Sequence, residues 1–198
     1  PAVMKIYLIR HGETDWNLQG RLQGREDIPL NQTGILQAEA CGEALRAVRL
    51  DSIHTSPLMR AEETAEIIAA WQQCPVIVNS ELIERDYGRL AGLSPQERQR
   101  FEASGQSSGM EPWEALAERA LRAAEKIADT FPKDTVAVVS HGAWINALLA
   151  VISEHEIGSG KTRLKNACIS LISRNQGDWK IEFFNLTAQE FTNSIVSK

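Results

Sequence analysis

The segment from Val3 to Ile9 (VMKIYLI) most constrains the fold, because it is almost wholly apolar and is followed at once by the polar cluster Arg10 to Thr14 (RHGET). A short apolar run without alternation is typical of a central strand that is buried on both faces. Strands of this kind occur in sheets covered by helices on both sides. We therefore expect an α/β fold whose first strand ends at a functional edge.

Farther along the chain, helical and extended patterns alternate. From Ile35 to Val48 apolar residues recur at intervals of three and four, which is typical of a helix with one buried face, and Thr33 is its predicted N-cap. Ser56 is predicted to cap a second helix from Pro57 to about Trp71. The other predicted elements are strands at Ser52 to Thr55, Pro75 to Asn79 and Thr135 to Val139, and helices from Ser94, at Pro112 to Phe131 and at Ala143 to Ile152.

Two further extended segments, Cys168 to Ile172 and Trp179 to Phe183, flank the turn sequence NQGD at Asn175 to Asp178 and predict an antiparallel hairpin. Strands that alternate with helices and then end in a hairpin indicate a three-layer α/β/α sandwich with a mostly parallel mixed sheet. The length of 198 residues fits one domain of ordinary size, so we expect a single domain over residues 1–198.

Charge and composition exclude several classes of protein. With 21 Lys and Arg against 26 Asp and Glu, the net charge of -5 argues against a surface that binds nucleic acid. No apolar run approaches the length of a transmembrane helix, and no signal peptide is recognisable, so we expect a cytoplasmic protein without a membrane partner. Cys41, Cys74 and Cys168 lack a CxxC spacing, so we expect three core thiols rather than a metal site.

Three of the predicted strands end in polar clusters. These clusters are Arg10 to Thr14, Thr55 to Pro57 and Ser140 to Ala143. Because ligands of α/β sheets bind at the carboxyl ends of the strands, we expect the clusters to meet at one edge. Arg60 lies about one turn into the helix after Ser56, so its long side chain reaches the same edge. Two histidines and two arginines are therefore predicted to converge.

The chemistry of these four side chains, His11, His141, Arg10 and Arg60, suits a phosphoryl group. Arginine presents a planar fork of charged donors that matches phosphate oxygens, and histidine is a known covalent nucleophile. We also expect the helix after Gly142 to direct free backbone N–H groups and its positive end at the anion. Phosphoryl transfer depends mostly on positioning and charge stabilisation, so this set predicts such a site.

A spaced set of motifs resembles the histidine phosphatase superfamily, which includes the cofactor-dependent phosphoglycerate mutases. The motifs occur in the family's order and are LIRHGETDWN (Leu8 to Asn17), RLQG (Arg21 to Gly24), TSPLMR (Thr55 to Arg60), ERDYG (Glu84 to Gly88) and SHG (Ser140 to Gly142). The resemblance implies a phosphoglycerate mutase-like fold with an antiparallel strand in an otherwise parallel sheet. It also implies a small phosphorylated metabolite as the partner.

The resemblance assigns a role to each matching residue. His11 is implied to be phosphorylated at Nε2, Arg10, Arg60 and His141 to hold the phosphoryl group, and Glu84 to protonate the leaving group. The residues implied to bind substrate are Asn17, Gln23, Gly24 and Gly142. No metal and no other cofactor is expected, because the arginines and histidines supply the positive charge.

Some residues near these motifs have more than one interpretation. Glu81 is an alternative to Glu84 as the proton donor. Arg21 and Arg25 either contact a second anionic group of the substrate or are merely solvated. His54 in a predicted strand and His155 in a polar loop lack partner motifs, and we expect both to be structural.

Three functions remain open: a phosphatase, a mutase and a catalytically inactive phosphate-binding module. Few residues separate Gly88 from Pro112, where the mutases carry a longer insertion, and the sequence lacks their long tail after the last strand. We therefore expect an open site and hydrolysis. The segments Leu90 to Glu111 and Glu154 to Lys165 are expected to select the substrate, whose identity stays open, as does the oligomeric state.

Overall fold

A computed structural model describes residues 3–197. Within this range the strands are β1 (Met4–Arg10), β2 (Ser52–Thr55), β3 (Val76–Val78), β4 (Thr135–Ser140), β5 (Ile169–Asn175) and β6 (Asp178–Leu186). The helices are α1 (Asp15–Gln19), α2 (Gln32–Leu45), α3 (Met59–Gln72), α4 (Pro95–Ala103), α5 (Trp113–Thr130), α6 (Gly142–Ile152) and α7 (Ala188–Val196). Short 3₁₀ turns at Ser80–Leu82 and Gly88–Leu90 complete these elements.

The strands form one sheet in the order β3-β2-β4-β1-β5-β6. The pairs β3–β2, β2–β4 and β4–β1 are parallel, whereas β5 runs antiparallel to both β1 and β6. The predicted mostly parallel mixed sheet and the terminal hairpin are therefore confirmed. The register pairs Arg10 with Ser140 and Thr55 with Val139, so β1, β4 and β2 end side by side.

Side chains of β1 point alternately into two apolar layers, as expected for a strand covered on both faces. Ile6 and Leu8 pack against α5 and α6. Tyr7 and Ile9 pack on the opposite face with α2, α3 and α7. These two layers confirm the predicted three-layer α/β/α arrangement.

The predicted caps of α2 and α3 are wrong. Asn31, not Thr33, caps α2, and its side chain accepts a hydrogen bond from Gly34 N (2.9 Å). Because the first turn of α2 is polar, the apolar periodicity did not reveal it. α3 begins at Met59 rather than Pro57, and Ser56 Oγ instead lies 2.7 Å from Nε2 of His141.

Two helices were not predicted from the sequence. α1 is one short turn closed by a capping box between Thr14 and Asn17. α7 starts with a second capping box, in which Thr187 and Glu190 exchange hydrogen bonds, and its Phe191 packs on the edge of the Tyr7 ring. The Thr-x-x-Glu pattern before α7 is the signal that could have found it.

The cysteines and His54 fit their expected structural roles with one exception. Cys41 and Cys168 are buried, and burial raises their thiol pKa values to about 12 and about 11. Cys74 is only half-buried, because it lies just after the C-terminal end of α3, so its prediction as a core thiol is wrong. His54 is buried in β2, with Nε2 at 3.0 Å from Ser52 Oγ.

No helix within residues 3–197 combines the length and the apolar character needed to cross a bilayer. The same residues bring together no group of three or more His, Cys, Asp and Glu side chains that could hold a metal ion.

Candidate active site

The two predicted active-site histidines lie next to each other because they follow adjacent parallel strands. His11 comes directly after β1 and His141 directly after β4, and their ring centroids are 5.1 Å apart. The N–H of His11 donates to the carbonyl of Ser140 at 3.1 Å, which continues the β1–β4 pairing by one residue. The sheet edge therefore brings the two rings together as the sequence predicts.

The hydrogen bond of His11 determines which ring nitrogen is free. Nδ1 lies 2.7 Å from the carbonyl oxygen of Gly12, which only accepts, so Nδ1 carries the proton in the neutral ring. Burial lowers the pKa of His11 well below its ordinary value, and the charges of Arg60 and Arg10 lower it further. At neutral pH the Nε2 atom therefore has an available lone pair and the character of a nucleophile.

His141 is fully buried beside it. Its Nε2 pairs with the hydroxyl of Ser56 at 2.7 Å, whereas Nδ1 is buried without a partner within residues 3–197. Burial lowers the pKa of His141 well below its ordinary value, with a further contribution from Arg60. Ser56 therefore orients the ring and leaves one nitrogen to interact with a ligand.

Arg60 reaches the site from the first turn of α3 and is 1% exposed. Its two terminal nitrogens donate to the carbonyls of Glu26 (2.6 Å) and Gly24 (2.7 Å), while Nε has no partner among the described residues. Burial lowers the pKa of Arg60 to about 10, although Glu84 acts in the opposite direction. The guanidinium is thus charged at neutral pH and also anchors the Gly24 to Glu26 segment.

Arg10 faces the same edge from the end of β1. One terminal nitrogen donates to the carbonyl of Leu164, and its buried Nε has no partner within the described range. Gly142 lies close by, since a side-chain carbon at that position would be 3.4 Å from Arg10 Nε. Burial is the main cause that lowers the pKa of Arg10, whereas the charge of Glu84 raises it.

Glu84 is 7% exposed and binds the N-terminal end of α6. Oε2 accepts from the N–H of Ala143 (3.2 Å), and Oε1 accepts from those of Trp144 (3.1 Å) and Arg85 (2.9 Å). The prediction that the first amides of α6 are free for phosphate is therefore wrong for these two, because a carboxylate already satisfies the positive helix end. Glu81 lies elsewhere, with its carboxylate 3.1 Å from Arg122.

The predicted substrate-binding residues fall into two groups. Asn17 and Gly142 line a cleft next to Arg10. Gln23 is buried and accepts a hydrogen bond from the Thr14 hydroxyl at 2.6 Å, and Gly24, at a φ of 54°, directs its carbonyl at Arg60. The second group therefore supports the site rather than lining the cleft.

Two supporting residues were missed by the sequence analysis. Asn166 donates through Nδ2 to the carbonyl of His11 (3.3 Å) and to Oδ1 of Asn17 (3.2 Å). Arg119 of α5 donates to the carbonyls of Glu81 (2.9 Å) and Ile83 (2.7 Å) and so holds the backbone before Glu84. The only local signal for Arg119 is that an arginine interrupts the apolar face of α5.

Gly12 and Gly34 allow the backbone after His11 to lie directly against the start of α2. A side-chain carbon at Gly34 would overlap the backbone of Glu13, and one at Gly12 would overlap the carbonyl of Gly34. The N–H of Gly12 donates to the Thr64 hydroxyl at 3.1 Å. The conformation of the His11 loop thus depends on the absence of two side chains.

A sequence model described as Histidine phosphatase superfamily (branch 1) matches residues 6–187. The chain belongs to the histidine phosphatase superfamily. Within it, the chain is 41% identical over 183 residues to uncharacterized phosphatase PhoE of Bacillus subtilis, covering 92% of this chain and 95% of that protein.

Other members of the superfamily carry different names. Metal-independent phosphoserine phosphatase of Arabidopsis thaliana is 34% identical, over 91% of this chain and 80% of its own. Probable phosphoglycerate mutase GpmB of Cronobacter sakazakii is 33% identical, over 89% of this chain and 88% of its own. Both phosphatases and mutases of the superfamily are therefore similar to this chain.

Solved structures of the superfamily superimpose closely. Bacillus stearothermophilus YhfR has a TM-score of 0.85 at 28% identity, with 91% of this chain and 96% of that chain covered. A phosphoserine phosphatase mutant from Entamoeba histolytica, in complex with phosphoserine, has a TM-score of 0.82 at 29% identity. The match covers 94% of this chain and 98% of that chain. These superpositions confirm the predicted fold class.

We expect the rings of His11 and His141 to stay neutral well below the midpoint near pH 6.5 of an ordinary histidine. Burial and two guanidinium groups disfavour the imidazolium, so each pKa is lowered and protons bind only as the pH falls further. Heteronuclear NMR of the ring nitrogens measures this, with a histidine peptide as the control. An ordinary titration midpoint for His11 would contradict the assignment of a neutral nucleophile.

Proposed function

We propose that this chain is a phosphatase that hydrolyses small phosphate monoesters through a phosphohistidine on His11. The observation that carries the proposal is a group of buried polar atoms that have no hydrogen-bond partner among residues 3–197, namely Nε of Arg10, Nε of Arg60 and Nδ1 of His141. Buried polar atoms are nearly always hydrogen-bonded. These three atoms are exceptions, and together with the available Nε2 of His11 they suit the oxygens of a phosphoryl group.

The first chemical step follows from this arrangement. His11 Nε2 attacks phosphorus and forms the N–P bond, while the P–O bond to the alcohol breaks and its electron pair goes to the ester oxygen. The carboxyl group of Glu84 donates a proton to that oxygen. Arg10, Arg60 and His141 stabilise the charge on the three remaining oxygens.

Water completes the reaction in the second step. Glu84, now a carboxylate, accepts a proton from water as the water oxygen bonds to phosphorus. The N–P bond breaks, its electron pair returns to Nε2 of His11, and inorganic phosphate leaves. Together the two steps consume one ester and one water molecule and regenerate His11 and Glu84. In this mechanism the side chains supply the charge stabilisation without a cofactor.

The superfamily includes mutases, which return the phosphoryl group to a second hydroxyl of the substrate. Two features support hydrolysis instead. The cleft beside Arg10 is bordered by the exposed residues Arg163 and Lys165, which gives water a path to the phosphohistidine. The similarity to PhoE and to a metal-independent phosphoserine phosphatase also favours it. The third alternative, a catalytically inactive phosphate-binding module, conflicts with the presence of His11, Arg10 and Glu84 together.

The test follows phosphate release and isomerisation in parallel. We expect the purified protein to release inorganic phosphate from small esters faster than it converts 3-phosphoglycerate to 2-phosphoglycerate, with 2,3-bisphosphoglycerate supplied as primer. A chelator is expected to leave the rate of phosphate release unchanged. Isomerisation faster than phosphate release from every ester would make the chain a mutase and overturn the proposal.

Glu84→Gln tests the proton donor. We expect kcat/KM to fall by about 10²-fold or more for an alkyl phosphate and much less for an aryl phosphate, whose alcohol leaves without a proton. The glutamine keeps an oxygen acceptor at the start of α6, so the fold should persist. Glu81→Gln is the matched control and should change neither rate by more than about twofold. An equal loss for both esters would show that Glu84 only shapes the site.

A further inference from the structure

The four main-chain carbonyls from Glu81 to Glu84 each accept a hydrogen bond from a side chain of another part of the chain. The donors are Trp144 Nε1 to Glu81 (2.9 Å), Ser140 Oγ to Leu82 (2.7 Å), Arg119 Nη1 to Glu81 (2.9 Å) and to Ile83 (2.7 Å), and Arg25 Nε to Glu84 (3.1 Å). After Leu82 this segment is neither helix nor strand, so regular pairing does not satisfy its carbonyls. The position of the proposed acid Glu84 therefore depends on these side chains.

Arg119 is the donor among them that binds two of the four carbonyls. While its Nη1 serves these carbonyls, its Nε and Nη2 bind the two carboxylate oxygens of Glu111 at 3.2 and 3.0 Å. A two-point pair of this kind fixes the plane of the guanidinium as well as its place. The side chains of Arg119 and Glu111 are only 11% and 14% exposed. The donors that hold the backbone before Glu84 are thus themselves held in one orientation.

Glu111 contacts the backbone on the other side of Glu84. Its Oε1 accepts from the N–H of Asp86 at 3.1 Å, and its own N–H donates to the carbonyl of Asp86 at 2.7 Å. Burial acts to raise the pKa of Glu111, but the hydrogen bonds from Arg119 and from the Asp86 N–H outweigh it and lower the pKa below its ordinary value. The Arg119–Glu111 pair is therefore charged at neutral pH and binds the chain both before and after Glu84.

Arg25 joins this group at its exposed edge. In addition to the carbonyl of Glu84, its guanidinium lies 3.7 Å from the carboxylate of Glu111 and 4.0 Å from that of Asp86. Its side chain is 41% exposed, so solvent weakens these ion pairs. The sequence left Arg25 open between a substrate contact and a solvated charge, and the structure shows that it contacts the main chain of Glu84.

We infer that Arg119, paired with Glu111, is a positioning residue for the proton transfer by Glu84. In the proposed mechanism Arg119 touches neither the substrate nor the reacting atoms, and it acts by fixing the main chain that carries the carboxyl group. A displacement of about 1 Å at a reacting group costs about 10²-fold in rate. This inference rests on the proposed function, because it takes Glu84 as the acid. It predicts a loss of activity that depends on the leaving group.

Arg119→Met keeps most of the apolar stem of the side chain and removes its donors. We expect kcat/KM to fall by about 10- to 100-fold for an alkyl phosphate and by no more than about threefold for p-nitrophenyl phosphate, whose alcohol leaves without a proton. Arg122→Met is the matched control, since Arg122 lies one turn farther along α5 and pairs with the side chain of Glu81. It should change neither value by more than about twofold. An equal loss for both esters in Arg119→Met would show that Arg119 only supports the fold.

A double variant shows whether Arg119 acts through Glu84. In the Glu84→Gln background the acid is already absent, so adding Arg119→Met should lower kcat/KM for the alkyl phosphate by no more than about threefold further. A second loss as large as that of Arg119→Met by itself would overturn the inference.

Arg119→Lys decides the question if circular dichroism shows that the methionine variant does not fold. Lysine keeps a positive charge beside Glu111 but cannot form the planar fork. We expect the same dependence on the leaving group, with a loss of about 3- to 10-fold for the alkyl phosphate. Unchanged kinetics with both esters would contradict the positioning role.

Hydrogen exchange separates this inference from the proposed function. The N–H groups of Ala143 and Trp144 lie in the first turn of α6, have no acceptor in their own helix and bind the carboxylate of Glu84. We expect both amides to exchange at least about tenfold faster in Arg119→Met, and at an unchanged rate in Arg122→Met. Unchanged exchange in Arg119→Met would overturn the inference whether or not esters are hydrolysed. Faster exchange in a protein that hydrolyses no ester would support the positioning of Glu84 and refute the phosphatase proposal.

Discussion

His11→Ala is expected to lower turnover by about 10⁴-fold or more, because the substitution removes the nitrogen that is proposed to accept the phosphoryl group. In the folded protein Nδ1 of His11 donates to Gly12 and Nε2 is the available ring nitrogen. The loss should therefore appear in kcat for alkyl and aryl phosphates alike. Phosphate release from p-nitrophenyl phosphate measures it, and the exposed His155→Ala provides a matched histidine control.

The intermediate gives an independent readout of the same substitution. Rapid quenching of the unaltered protein with radiolabelled substrate should trap a phosphoenzyme that is stable in base and labile in acid, as phosphohistidine is. His11→Ala should give no such species. An acid-labile phosphoenzyme in the alanine variant would assign the nucleophile to another residue and overturn the proposed mechanism.

Arg60→Ala is expected to lower kcat/KM by about 10³-fold. The side chain has two tasks, since its Nε faces the proposed phosphoryl position while its terminal nitrogens hold the carbonyls of Gly24 and Glu26. Truncation removes a buried charge from the site and leaves both carbonyls without their donor. We expect the free energy of unfolding to fall as well, by about 1–3 kcal/mol.

Arg60→Lys separates these two tasks. Lysine keeps the charge but cannot reproduce the planar fork, so we expect kcat/KM to stay at least about tenfold below that of the unaltered protein. Urea unfolding followed by circular dichroism gives the stability of each variant, and kinetics are compared where all are folded. Arg122→Ala, at an exposed arginine paired with Glu81, is the control. Full activity of the lysine variant would show that the site needs only the positive charge of Arg60 and not its planar guanidinium.

The general position of the site was predictable because it depends on strand order and direction. Arg10 and His11 follow an apolar strand, and His141 follows another, so their convergence required only that the two strands be parallel neighbours. Arg60 followed from its place near the start of the helix after Ser56. Family motifs then assigned roles that spacing alone leaves open.

The details that the sequence did not reveal are hydrogen bonds between distant segments. Glu84 bonds to the amides of Ala143 and Trp144, which are separated from it by 59 and 60 positions, and no local pattern encodes this contact. The same holds for the contacts of Arg119 with the carbonyls of Glu81 and Ile83. The single domain over residues 1–198, the cytoplasmic location and the chemical roles of the site residues stay predictions.

The reversed direction of β5 gives the cleft beside Arg10 a wall that does not come from the parallel strands. The proposed reacting groups follow the carboxyl ends of parallel strands, whereas the Thr162 to Asn166 wall of the cleft precedes the amino end of β5. Main-chain groups tie this wall to the site, since the N–H of Ala167 donates to the carbonyl of His11 at 3.1 Å and Arg10 donates to the carbonyl of Leu164. Substitutions at Arg163 or Lys165 therefore leave those attachments in place, so the side chains of this wall are exchangeable without displacing the proposed catalytic residues.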